Sequence, residues 1–142
     1  STTGRTLNWP TWVHAAREIG EMQAAVYPKY TLEDWIVYAK RVCRLTQQGR
    51  IVLDYDMRIS EPMKLQSEAF DLWPSYDALG AAPVAILRGG LSDLFSEATA
   101  KEMVKRLPNA KLTTVAGVGH APALDEPAAT RAMGALLKAV MA

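Results

Sequence analysis

Residues 83–89 read Pro83-Val84-Ala85-Ile86-Leu87-Arg88-Gly89, a short apolar run closed by glycine. Runs of this kind are typical of strands buried on both faces, as in parallel sheets. Ser96 then opens a helical stretch that reaches about Leu107, where Pro108-Asn109 ends it. A second strand follows from Lys111 to Val118. Asp125-Glu126-Pro127 starts a last helix with an acidic first turn and a proline near its beginning. Ala129, Met133, Leu136, Leu137 and Val140 give that helix an apolar face. Strand, helix, strand, helix predicts a parallel β-α-β-α unit with a right-handed crossover, and so an α/β fold class.

The first half has a different texture. Trp12, Ala15, Ile19, Met22 and Val26 recur at steps of three and four, which predicts a helix with Pro10 in its first turn. Tyr27-Pro28-Lys29-Tyr30 breaks it. Thr31-Leu32-Glu33-Asp34 fits a capping box. The stripe Leu32, Trp35, Ile36, Ala39, Val42 and Cys43 predicts a second helix, stopped by Gly49. Ile51 to Asp56 reads as extended, and residues 61–79 as one or two short helices interrupted by Pro74. The expected division is a helical segment over 1–70 and the β-α-β-α part over 71–142.

Several function classes fall away on composition. A formal charge of +1, with no Lys/Arg cluster interleaved with aromatics, speaks against a nucleic-acid face. No apolar run approaches the roughly 20 residues that cross a bilayer. The single cysteine, Cys43, leaves no internal disulfide, and no signal-peptide pattern opens the chain, so the expected location is cytoplasmic. Cys43 lies on the apolar stripe and is read as packing. No metal and no cofactor is expected.

Two residues follow the two strands in the second half. Asp93 comes after the first, in Arg88-Gly89-Gly90-Leu91-Ser92-Asp93-Leu94, and His120 after the second, in Gly117-Val118-Gly119-His120-Ala121-Pro122. On parallel neighbours both would leave the carboxyl edge of the sheet, where open α/β sheets bind ligands. A carboxylate beside an imidazole fixes its tautomer and stabilises its charged form, so the ring can serve as a general base. The bland readings are a helix cap for Asp93 and a turn residue for His120. Ser96 is the better cap by spacing.

The phrases PVAILRGGLSD and TTVAGVGHAPALDEP resemble the closing portion of a bacterial, esterase-like α/β-hydrolase. That family carries the acid and then the histidine of a Ser…Asp…His triad on its last strands. The resemblance implies a partial α/β-hydrolase fold, with Asp93 as triad acid, His120 as base and residues 9–70 as part of the helical cap. Trp12, Trp35 and Trp73 are candidates for a substrate pocket under that cap, with core packing as their ordinary role. His14 is expected to be a surface or cap residue.

The departure from the family is the nucleophile. None of Ser1, Ser60, Ser67, Ser75, Ser92 and Ser96 sits in a Gly-x-Ser-x-Gly elbow. Two readings follow. The chain is the C-terminal portion of a serine hydrolase acting on an ester or similar acyl bond, inactive alone and completed by an N-terminal half. Alternatively, it is a freestanding, non-catalytic remnant that pairs as a homodimer and binds a ligand or partner, since two strands alone leave open edges.

Overall fold

The computed structural model describes residues 7–60 and 70–141. Its chain clusters into two compact units, Ser1–Ala24 with Lys29–Ala69 and Ala25–Pro28 with Phe70–Ala142.

In the first unit, β1 (Asn8–Trp9) leads into helix α1 (Trp12–Gln23). Thr11, not Pro10, starts the helix: its hydroxyl accepts from the His14 amide at 3.3 Å, satisfying a donor that a proline would leave without a partner. The buried face is Ala15, Ala16, Ile19 and Gly20. It is rotated from the expected stripe, since Met22 is 45% exposed and Val26 lies beyond the helix end. The cause is the partner. Gly20 presents no side chain, and the Trp35 ring of α2 (Leu32–Val42) settles against it, so the contact follows the small residues.

Helix α2 has the expected capping box. The Thr31 hydroxyl accepts from the Asp34 amide, and the Asp34 carboxylate accepts from the Thr31 amide at 2.8 Å. The helix does not run on to Gly49. It stops at Val42, and Cys43–Leu45 (β2) forms a hairpin with Ile51–Leu53 (β3), pairing Cys43 with Leu53 and Leu45 with Ile51. A glycine with positive φ closes a helix or a hairpin equally well. Gly49, at φ 72°, does the latter, and its amide donates to the Thr46 carbonyl. β1 adds to the other side of β3, giving an antiparallel sheet ordered β1-β3-β2 with Ile51 1% exposed. A 3-10 turn follows at Met57–Ser60. The helical reading of residues 61–69 lies outside the described residues.

In the second unit, α3 (Trp73–Asp77) holds Pro74 in its first turn, so the proline begins this helix instead of interrupting one. Then come β4 (Val84–Gly89), α4 (Glu97–Arg106), β5 (Ala110–Val115) and α5 (Pro127–Met141). The two strands are parallel, with Val84 opposite Ala110 and Gly89 opposite Val115. Ser96 caps α4 by accepting from the Thr99 amide at 3.0 Å. β5 ends three residues before Val118, because Gly117 turns the chain at φ 75°.

The expected burial of β4 on both faces, and of the apolar face of α5, is only partly realised. Ile86 and Gly89 are buried and the rest of β4 is half-buried, while Leu137 and Val140 of α5 are 61% and 65% exposed. Two strands make a narrow platform, and a helix laid on it has apolar residues left with nothing to pack against.

Candidate active site

The carboxyl edge of the β4–β5 pair is assembled largely from backbone. The Gly90 amide donates to the Val115 carbonyl at 2.7 Å, and the Leu91 amide to the Val118 carbonyl at 2.8 Å. The loop after β4 is therefore bonded to the loop after β5. The approach is so close that a Cβ built on Gly89 would collide with the Gly119 carbonyl oxygen. Gly119 is itself seated against the segment of residues 25–28. Its amide donates to the Val26 carbonyl at 2.6 Å, and a Cβ there would lie 2.6 Å from the Val26 Cα. The two glycines, which in the sequence only follow strand-like runs, are thus sites of tight contact.

Asp93 and His120 sit on these two joined loops, four residues past Gly89 and five past Val115. Both side chains are exposed. Among the described residues no hydrogen bond or ion pair links the Asp93 carboxylate to the His120 ring. The topology brings their loops together at one edge; contact between the two groups is a further step. Asp93 does not cap α4, which Ser96 does.

Each loop is held by side chains. On the acid side, Arg88 Nε donates to the Phe95 carbonyl at 2.7 Å, and the Ser92 hydroxyl accepts from the Phe95 amide at 3.0 Å. Ser92 thus shapes the loop. On the histidine side, Glu126 accepts from the Ala123 amide at 2.8 Å with one carboxylate oxygen and from the Leu124 amide at 2.9 Å with the other. That grip accompanies Leu124 at φ 72°, an uncommon conformation for a residue with a Cβ. The Tyr27 hydroxyl donates to the Ala121 carbonyl at 2.8 Å. The roles of Glu126, Arg88 and Tyr27 escaped the sequence reading. The sequence places Glu126 in an acidic first turn, yet it precedes α5 and serves the turn before it. The one signal was its place three residues after Ala123, a spacing shared with ordinary caps.

The candidate tryptophans are divided between the units. In the first, Trp12 is half-buried on α1. Trp35 is 8% exposed in the core, with edge-on contacts to Tyr30 at 5.0 Å and Tyr38 at 5.5 Å between ring centroids. In the second, Trp73 lies under the Arg106 guanidinium at 4.2 Å and lines an open groove of about 460 Å³ with Phe70, Leu72, Tyr76 and Met103. His14 is exposed, and its Nδ1 lies 2.8 Å from the Thr11 hydroxyl, a capping neighbourhood. Cys43 is buried, and burial, helped by the Asp54 charge, pushes its thiol pKa up, away from the reactive thiolate. Among the described residues no three His, Cys, Asp or Glu side chains converge on a point that could hold a metal ion, and no helix is long and apolar enough to cross a membrane.

Parallel β4 and β5, linked through α4 and followed by α5, form a partial α/β-hydrolase fold. No protein-family model matches the chain. An α/β-hydrolase of solved structure from Novosphingobium aromaticivorans is 43% identical and superposes with a TM-score of 0.85, over 96% of this chain and 49% of that one. A putative hydrolase from Rickettsia typhi superposes with a TM-score of 0.74 at 21% identity, over 95% of this chain and 45% of that one, a likeness of fold alone. The 3-hydroxybutyrate-oligomer hydrolase of Cupriavidus necator is 38% identical over 71 residues, which are 50% of this chain and 24% of that protein. The chain therefore spans about half the length of these solved hydrolases, and it corresponds to a C-terminal half of the fold. Fold and sequence likeness together make it hydrolase-like.

Proposed function

We propose that this chain is the C-terminal portion of a cytoplasmic serine α/β-hydrolase that cleaves an ester or similar acyl bond. Asp93 is the triad acid and His120 the base, residues 1–70 belong to a substrate-selecting cap, and residues 71–142 close the core. The nucleophilic serine and the oxyanion donors come from an N-terminal portion. In the reaction the serine hydroxyl attacks the acyl carbon while His120 takes its proton. His120 then returns that proton to the leaving group as the acyl bond breaks; a water deprotonated by His120 next releases the acid from the serine, and Asp93 holds the ring and stabilises its charged form in both halves of the cycle. The observation that carries this reading is the bonded pair of loops at one sheet edge, bearing an acid and then a histidine in the family's chain order. The likeness to a 3-hydroxybutyrate-oligomer hydrolase supports a short hydroxyacyl ester as the first substrate to try.

The test is to extend the reading frame upstream of Ser1 and express the longer polypeptide. A fluorophosphonate is expected to label a serine in the added part and none in the 142-residue chain. His120→Gln should abolish turnover of a p-nitrophenyl ester. Asp93→Asn should lower kcat by roughly a thousandfold to ten-thousandfold, the scale known for a triad acid. Undiminished turnover in His120→Gln would refute the assignment. An upstream region without a serine elbow, together with a dimeric mass in solution, would favour the homodimeric binding protein instead.

A further inference from the structure

Arg88 is the fifth residue of β4, one before the glycine that meets Gly119. Its guanidinium turns onto the chain's own next loop. Nε donates to the Phe95 carbonyl at 2.7 Å, and Nη2 lies 3.5 Å from the Ser92 carbonyl. Those two carbonyls bracket Asp93 and Leu94. Beside the cross-loop bonds of the Gly90 and Leu91 amides, residues 92–95 have local ties: the Ser92 amide donates to the Gly89 carbonyl at 3.1 Å, and the Ser92 hydroxyl accepts from the Phe95 amide. The exposed Asp93 side chain thus rides on a short arch whose two feet are gripped by one half-buried cation. A guanidinium suits this task because its donors are fixed in a planar fork and its charge is permanent. Lysine offers a point charge with three rotatable donors on a flexible stem.

We propose that Arg88 is a positioning residue, which shapes residues 92–95 so that the Asp93 carboxylate is presented to the His120 ring. The inference rests on the triad reading above. Rigid placement matters because a displacement of about 1 Å can cost a catalytic arrangement roughly a hundredfold in rate.

The experiment reads the coupling directly, in the 142-residue chain, as the ring-proton chemical shifts of His120 measured by NMR at one fixed neutral pH. The chain has two histidines, and His14, in the first unit, serves as internal reference. A carboxylate near an imidazole changes the field at the ring, so Asp93→Asn should move the His120 resonances and leave those of His14 in place. In an Arg88→Ala background the same Asp93→Asn change should move them by less than half as much. Arg88 is absent from both members of that second pair, so its own field cancels and the difference reports placement. Arg88→Lys should give an intermediate value. If Arg88→Ala collapses the amide dispersion, Arg88→Lys carries the comparison, and a fully retained shift there overturns the proposal. An equal shift in the wild-type and Arg88→Ala backgrounds also overturns it, while leaving the triad reading standing. No shift of His120 on Asp93→Asn in the wild-type background sinks the triad reading, and the role of Arg88 with it.

Discussion

Gly20 and Gly89 are both buried glycines facing a close neighbour, one in each unit, and they are constrained in different ways. At Gly20 the neighbour is a side chain: a Cβ would lie 3.0 Å from Cδ1 of the Trp35 ring. At Gly89 the neighbour is the backbone of Gly119, itself bonded to Val26. A ring can tilt by a few tenths of an ångström within its packing. A carbonyl in a hydrogen-bonded loop cannot move without breaking what it is bonded to. The first unit is therefore built from side chains fitted around a recess. The site edge of the second is built from main chain against main chain.

The sharpest way to break this contrast is Gly89→Ala. It should cost on the order of 4 kcal/mol, enough to disorder both loops at the sheet edge, measured by urea unfolding and by loss of protection of the Gly90 and Leu91 amides. A loss below about 1 kcal/mol would mean that the edge is pliable and the contrast false. Gly20→Ala is the matched change in the first unit. Overpacking against a ring that can shift should cost about 1 kcal/mol, read from the same unfolding curves. If it equals or exceeds Gly89→Ala, the side-chain recess is as rigid as the backbone seat.

The smallest effect concerns the capping box of α2. The Thr31 amide, and then the Thr31 hydroxyl, hold the Asp34 carboxyl below its ordinary value. A folded-state pKa that is lowered stabilises the fold above the unfolded value, and the contribution is lost as pH falls through the folded value. The stability gap between the wild type and Asp34→Ala should therefore be constant at neutral pH. It should close on acidification through and below the ordinary carboxylate range, as followed by thermal melts at stepped pH. A gap that persists unchanged at the acid end would show that the carboxylate's charge plays no part in the cap.

The parts of the fold legible in the sequence were those set by residues within four positions of each other. The Thr31–Asp34 box, the Ser96 cap and the runs that became β4 and β5 all belong to this class. The order of Asp93 and His120 after successive strands is read directly from the chain. The hairpin of β2 and β3 was missed because Val42 and Cys43 continue an apolar helical stripe without a break. What ended the helix was pairing with Leu53, ten residues beyond Cys43. Thr11 was overlooked because Pro10 carries the louder local signal. Glu126 was absorbed into the helix it precedes because an acidic pair before a proline looks the same whether it serves the helix or the turn behind it.

By itself, then, the sequence determined the element types of the second unit and the cap of α2, since periodicity and capping are satisfied between near neighbours. Only the tertiary structure decided that Gly89 and Gly119 are mutual contacts, that Arg88 and Glu126 each grip a loop, and that Trp35 rests on Gly20. Those relations depend on where a backbone or side chain lies in space. A glycine needed for close approach is written with the same letter as a glycine that turns a loop.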